Sequence, residues 1–100
     1  MEITETRRGS FLVVSPSGRM DSATSPQFDR YMSAVIDRGD TAIVVDMTGL
    51  EYNSSTGLSG FLSSAKKIRR NDGRMALTGL NSRIRLAFEM SGFLRLFPVY

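Results

Sequence analysis

Three consecutive hydroxyl residues, Ser54, Ser55 and Thr56, stand directly before Gly57. A run of helical periodicity follows them, so they occupy the position at which a helix must start. Serine and threonine oxygens accept hydrogen bonds from the free N–H groups of a first helical turn, and such a cap contributes about 1 kcal/mol. One hydroxyl is enough for a cap, which leaves the others for a different role.

The rest of the sequence offers few groups for catalysis. Its 100 residues contain no cysteine and no histidine, which excludes disulfides, thiolate nucleophiles, the usual zinc sites and histidine-based triads. No glycine-rich phosphate-binding loop is present, and no activating base stands at a suggestive spacing from a serine. We therefore expect no enzyme activity, no cofactor and no metal site. The alternative is a small enzyme, and turnover of a substrate by the purified chain alone would support it.

The composition is typical of one compact domain. Hydrophobic residues make up 41% of the chain and charged residues 23%, so we expect a single domain over residues 1–100 without a linker. No segment reaches the ~18–20 apolar residues of a membrane span, and residues 1–8 lack the apolar stretch of a signal peptide. These features predict a cytoplasmic protein with no membrane span.

A basic cluster, Lys66, Lys67, Arg69 and Arg70, lies at the end of the second predicted helix. Cations at a helix C-terminus interact favourably with the helix dipole and form a solvated face. No aromatic residues alternate with these cations as a stacking platform for bases, and the net charge is only +3. We therefore expect no nucleic-acid partner.

Hydrophobic periodicity defines the elements that position the hydroxyl residues. Strands are predicted at 3–7, 11–14, 42–47, 75–78 and 97–100, and helices are predicted around the apolar stripes 28–36, 58–68 and 84–88. Thr24 or Ser25 is the predicted N-cap of the first helix, with Pro26 at the first helical position. Pro16-Ser17-Gly18 is predicted to end the second strand, and Thr48–Ser55 is interpreted as a connection.

Strands that alternate with helices indicate an α/β fold, and the opening hairpin makes the sheet mixed rather than purely parallel. The segment 42–47 is a nearly continuous apolar run rich in β-branched residues. Such a run is typical of a strand buried on both faces. Pattern alone therefore predicts the fold class, whereas the function needs a more specific signal.

That signal is a resemblance that extends along the chain in one order. Val44-Val45-Asp46-Met47 with the segment from Leu50 to Leu58 resembles the signature of STAS domains, specifically bacterial anti-sigma factor antagonists. Gly18-Arg19-Met20-Asp21 resembles the Gly-x-x-Asp turn of that family. The second helix with its stop at Gly73, and the segment from Ile84 to Phe97, match later elements. Each motif alone is weak, but the ordered set is specific.

The resemblance implies a small mixed sheet with helices packed mainly on one face, and a partner-switching function. In such systems the unmodified antagonist binds an anti-sigma factor that is also a GHKL-type serine/threonine kinase, and this binding releases the sigma factor or another target. Phosphorylation of the antagonist by the kinase loosens the complex, and a PP2C-type phosphatase restores it.

Laid onto this chain, the family motif places the phosphate acceptor at Ser55, with Thr56 and Ser54 as alternatives. The same resemblance implies partner contacts at Asp21, Ser54, Ser55, Thr56, Gly57 and Leu58. Asp21 also has a simpler interpretation, since an aspartate in a turn commonly caps the local backbone. Ser54 stands where many members carry an aspartate, whose carboxylate could orient the acceptor hydroxyl. This departure favours, as an alternative, an unphosphorylated STAS subunit of an ABC lipid-transport complex or a stress-signalling scaffold.

Overall fold

The computed structural model describes residues 1–92, 95 and 98–100, and at Ser55 it describes the backbone alone. These residues form five strands, β1 (Glu2–Arg8), β2 (Phe11–Met20), β3 (Ala42–Asp46), β4 (Leu50–Asn53) and β5 (Arg74–Thr78), and three helices, α1 (Ser25–Asp37), α2 (Ser55–Arg70) and α3 (Ser82–Ser91). Of the predicted closing strand 97–100, position 97 lies outside the described residues, as do positions 93, 94 and 96 before it. Beyond them, Val99 forms one parallel bridge to Leu77.

The sheet is mixed, as the sequence predicted. Its strand order is β1-β2-β3-β5, and β4 pairs with the far end of β2. β1 runs antiparallel to β2, whereas the pairs β2–β3, β3–β5 and β2–β4 are parallel. The parallel pairs require crossover connections, which the helices and the loop before β4 provide.

The second strand is longer than predicted, and the prediction that Pro16-Ser17-Gly18 ends it was wrong. β2 continues to Met20, with a shift of register between Gly18 and Arg19. Gly18 has a φ of +97°, which glycine adopts at little cost, so the strand bends there without breaking. Beyond the bend, β2 leaves β3 and pairs with β4. The prediction that Thr48–Ser55 is a connection was therefore wrong for Leu50–Asn53, which form β4.

The helices cover one face of the sheet, as predicted. Alternate residues of β2, β3 and β5 point toward the helices and are buried, namely Leu12, Val14, Ile43, Val45, Met75 and Leu77. The residues between them, such as Val44, are only half-buried. The prediction that the segment 42–47 is covered on both faces was therefore wrong, because no helix of the described residues packs on the second face.

Aromatic stacking and a polar cluster join the helices. The rings of Phe28 in α1 and Phe61 in α2 stack with their centroids 5.4 Å apart, and Phe88 of α3 lies 5.7 Å from Phe61. Beside them, Asp29 accepts hydrogen bonds from the buried Ser64 hydroxyl at 3.2 Å and from Lys67 Nζ at 3.0 Å. Lys67, a member of the predicted basic cluster, is therefore engaged in helix packing.

An ion-pair network fastens β1 to the end of α1. Arg38 Nη2 lies 2.6 Å from Glu5 Oε2, and Asp40 lies 2.8 Å from both Arg38 Nε and Arg7 Nη2. The Tyr31 hydroxyl donates a further hydrogen bond to Glu5. Hydrogen bonds from Arg38 and Arg7 hold the pKa of the Asp40 carboxyl below its usual range.

This network is expected to make stability dependent on acid pH. A carboxylate whose pKa is lowered by folding stabilises the fold above its unfolded-state pKa, here 3.8, and loses that contribution as the pH falls through the folded-state value. Asp40→Asn should therefore lower the free energy of unfolding at pH 6, and its difference from the parent chain should shrink toward pH 3. Urea unfolding at both pH values measures this. A difference that stays constant between them would contradict the linkage.

Candidate functional site

The hydroxyl segment begins α2, and Ser54 is its N-cap. The Ser54 Oγ accepts a hydrogen bond from Gly57 N at 3.1 Å, and the Ser54 backbone is extended, with φ −79° and ψ 169°. The Ser54 carbonyl accepts from Leu58 N at 2.8 Å, which closes the first turn. The interpretation of one hydroxyl as a helix cap is confirmed for Ser54. Thr56, two positions on, is exposed.

The start of α2 lies directly against the end of β2. Ser54 N donates to the Met20 carbonyl at 2.9 Å. Gly57 is buried against the same carbonyl, and a Cβ added to it would lie 2.3 Å from Met20 O and 2.7 Å from Met20 C. Only glycine therefore allows this approach. The contact places Met20, which is covalently linked to Asp21, beside Ser54 and Gly57.

Asp21 organises the turn between β2 and α1. Its Oδ1 accepts hydrogen bonds from Ala23 N at 3.0 Å and Thr24 N at 3.2 Å. The hydrogen bond from Ala23 holds the pKa of the Asp21 carboxyl below its usual range. Thr24 occupies the N-cap position of α1, but its hydroxyl does not cap the helix; it donates to the Arg19 carbonyl at 2.7 Å. The carboxylate of Asp21 thus has a structural role at this surface.

Sequence reasoning missed two neighbours of this segment, Arg19 and Tyr52. Arg19 and Tyr52 are partners in the β2–β4 register, and the Arg19 guanidinium lies 4.2 Å from the centre of the Tyr52 ring. Arg19 Nε also lies 3.7 Å from Asp21 Oδ2. The alternating apolar and polar side chains of β4 were the available signal, but four residues are too few to distinguish a strand from a loop.

Asn53 was also missed. It ends β4 directly before the cap residue, and both polar atoms of its side chain are buried without a hydrogen-bond partner among the described residues. Its Oδ1 would lie 2.8 Å from a Cβ at Gly57, so the amide packs under the first turn of α2. A side chain larger than hydrogen at position 57 would therefore meet side-chain as well as backbone atoms.

The cap gives a direct test of how this segment is held. Ser54→Ala should lower the free energy of unfolding by about 1 kcal/mol, because the N–H of Gly57 loses its acceptor. Ser54→Asp should retain the parent stability, since its carboxylate accepts the same hydrogen bond and favours the positive end of the helix. Thermal unfolding of both variants measures the difference. Equal loss in both variants would show that the hydroxyl does not act as a cap.

The arrangement suits a surface that accepts an anion and a protein partner. Two side chains flank the segment, the exposed Arg19 and the half-buried Tyr52, and the segment itself exposes Thr56. Free N–H groups and the helix dipole make the first turn of α2 tolerant of negative charge.

Among the described residues, no helix is long and apolar enough to cross a membrane.

Residues 2–100 match the family model described as STAS domain. BtrV of Bordetella bronchiseptica, whose name assigns it as an anti-sigma factor antagonist, is 35% identical over 99 residues, which cover 99% of this chain and 85% of BtrV. The anti-sigma-B factor antagonist of Staphylococcus aureus is 28% identical over 92 residues, which cover 92% of this chain and 85% of that protein.

The fold is also that of SpoIIAA, a Bacillus cell fate determinant and anti-sigma factor antagonist. Structures of its unphosphorylated and phosphorylated forms align with this chain at TM-scores of 0.81 and 0.75, with 20% sequence identity. The alignments cover 99% of this chain and 88% and 91% of the two SpoIIAA chains. At this level of identity the likeness concerns the fold alone.

Proposed function

Because this chain belongs to the STAS domain family, we propose that it is an anti-sigma factor antagonist that works by partner switching. The names of BtrV and of the Staphylococcus aureus relative support the first part of this proposal. One observation supports the second part. The hydroxyl segment before Gly57 begins a helix whose start is fastened to the end of β2 by the Ser54–Met20 hydrogen bond.

The proposed partner is an anti-sigma factor that is also a GHKL-type serine/threonine kinase. The unphosphorylated chain binds it and releases the sigma factor or another target. The kinase phosphorylates Ser55, which abolishes binding, and a PP2C-type phosphatase removes the phosphate. The chain itself catalyses nothing in this cycle, and the cycle takes place in the cytoplasm.

Ser55 is the proposed acceptor, and Thr56 is the first alternative. Ser55 is the first residue of α2, and the next residue, Thr56, is exposed. Ser54 is the least suitable acceptor, because its oxygen already holds the N–H of Gly57 and phosphorylation would disturb the cap. Ser54 therefore ranks behind Thr56 as an alternative acceptor.

The proposed partner contacts are Asp21, Ser54, Ser55, Thr56, Gly57 and Leu58. They divide into two kinds. Gly57 is buried and Leu58 packs against the core, so they contribute by holding the surface in shape. Thr56 is exposed and contributes directly. Arg19 and Tyr52 flank these residues and extend the proposed contact surface.

The test is peptide mass spectrometry of the chain after incubation with ATP, Mg²⁺ and a GHKL-type anti-sigma kinase from the same genome. One phosphate on Ser55, together with loss of kinase binding, is the expected result. A phosphate on Thr56 alone would identify Thr56, and not Ser55, as the acceptor. Stable binding without phosphate would favour the unswitched STAS subunit, for which Ser54 at the usual aspartate position is the supporting observation. The absence of both kinase binding and phosphorylation would contradict the proposal.

A further inference from the structure

The sheet face opposite the helices, which we call the outer face, carries an apolar centre. Cross-strand register pairs Val13 with Val44 and Val44 with Ala76, so these three side chains form one row across β2, β3 and β5. Ala42 and Arg74 pair in the adjacent row. All-parallel sheets usually have both faces covered, whereas in this mixed sheet no described helix covers the outer face.

A groove of about 690 Å³ runs over this face. Its floor contains the small side chains Ala42, Val44 and Ala76, and two larger aromatic residues line it, Phe11, 39% exposed, and Tyr100, 80% exposed. The Tyr100 N–H donates to the Leu77 carbonyl at 2.8 Å, which fastens that end of the chain along β5. The groove is open to solvent, with small floor residues beside the larger aromatic ones. Its volume lies within the range of ordinary small-molecule sites.

One end of the groove is positively charged. Arg69, in the last turn of α2, and Arg74, at the start of β5, both line it and are exposed. Arg8 pairs with Phe11 in the β1–β2 register, so it lies on the same face in the same region. None of these three arginines forms an ion pair with any of the described residues. The acidic residues that the register places on this face, Glu2 and Asp46, lie toward the other end, where the Asp46 carboxylate accepts from Thr48.

We propose that this groove binds a free single-chain amphiphile with an apolar tail and a carboxylate head. The tail lies over Val44 and Ala76, where its burial removes apolar surface from water. The carboxylate lies between Arg69 and Arg74, whose guanidinium groups are free to donate paired hydrogen bonds to it. The outer face differs from the proposed kinase-binding surface, since Arg69 lies about 21 Å along α2 from its first residue.

Laurate, titrated below its critical micelle concentration and followed by isothermal titration calorimetry, is the probe. We expect saturable binding of one laurate per chain. Arg74→Gln should weaken binding by about 10- to 100-fold, because a charge-assisted hydrogen bond is lost. Arg83→Gln is the matched control, since it removes the same charge from an exposed position on α3 and should leave binding unchanged. Dodecanol, which lacks the charge, should bind more weakly than laurate.

Ala76→Phe tests the floor of the groove, because a large side chain there fills the space of the tail and should abolish binding. If this variant does not fold by circular dichroism, the Arg69→Gln/Arg74→Gln double variant decides, since it changes exposed side chains alone. Three results would overturn the proposal. They are no saturable laurate binding, equal weakening by Arg74→Gln and Arg83→Gln, and binding to anionic phospholipid vesicles without binding to free laurate.

Discussion

Phosphorylation of Ser55 is expected to weaken binding to the anti-sigma factor by about a thousandfold while leaving the fold unchanged. The phosphate adds about −1.5 to −2 charges at the first residue of α2. The free N–H groups and the dipole at that helix end tolerate an anion, so the domain itself is not destabilised. The partner, in contrast, meets a bulky dianion in a closely packed contact. A thousandfold loss requires about 4 kcal/mol, which one badly placed charge can supply.

Calorimetric titration of the phosphorylated and unphosphorylated chains with the anti-sigma factor measures the loss. Ser55→Ala is the control, because it should retain binding and remain unmodified. Two-dimensional NMR of the phosphorylated chain separates the two possible causes of weakening. Shift changes confined to residues near the start of α2 are expected. Widespread changes through β3 and β5 would mean that the phosphate acts by altering the fold, and the mechanism of local repulsion would then be wrong.

Gly57→Ala is expected to destabilise the protein by about 3 kcal/mol and to lower its Tm by roughly 10–20 °C. Helix propensity alone gives the opposite sign, since alanine is favoured over glycine in a helix by about 1 kcal/mol. The new methyl carbon, however, would lie 2.3 Å from the Met20 carbonyl oxygen. A backbone atom cannot rotate away as a side chain does, so α2 must shift and the hydrogen bond from Ser54 N to Met20 O must lengthen.

Ser59→Ala is the matched control for this variant. Ser59 lies in the same helix and is exposed, so its replacement should change the free energy of unfolding by less than about 0.5 kcal/mol. Thermal unfolding followed by circular dichroism compares the two variants with the parent chain. A Gly57→Ala variant as stable as the Ser59→Ala variant would show that the contact between α2 and β2 does not require glycine.

Local patterns were sufficient for the elements with long, regular periodicity. The apolar stripe of α2, the β-branched run of β3 and the short apolar run of β5 located these elements within a few residues, because each pattern reflects burial of one face. The serine cap of α2 followed from the same local reasoning. For such elements the information lies within one stretch of the chain.

The features that were missed depend on pairs of distant segments. β4 has only four residues, and it is a strand because β2, about thirty residues earlier, continues past Pro16 and pairs with it. The contacts of Tyr52 with Arg19 and of Gly57 with Met20 both follow from that pairing. The sequence shows a glycine at position 57, but it does not identify the backbone that lies against it.

The hydrogen bond between Ser54 N and Met20 O joins two main-chain groups, so it does not depend on which side chains stand nearby. The exposed side chains around it, Arg19 and Thr56, can therefore change during evolution without loss of the supporting geometry. Within the proposed partner switch, reversing the charge at a position such as Arg19 would repel one kinase and admit another, so cross-talk between parallel pathways would fall at little expense to stability.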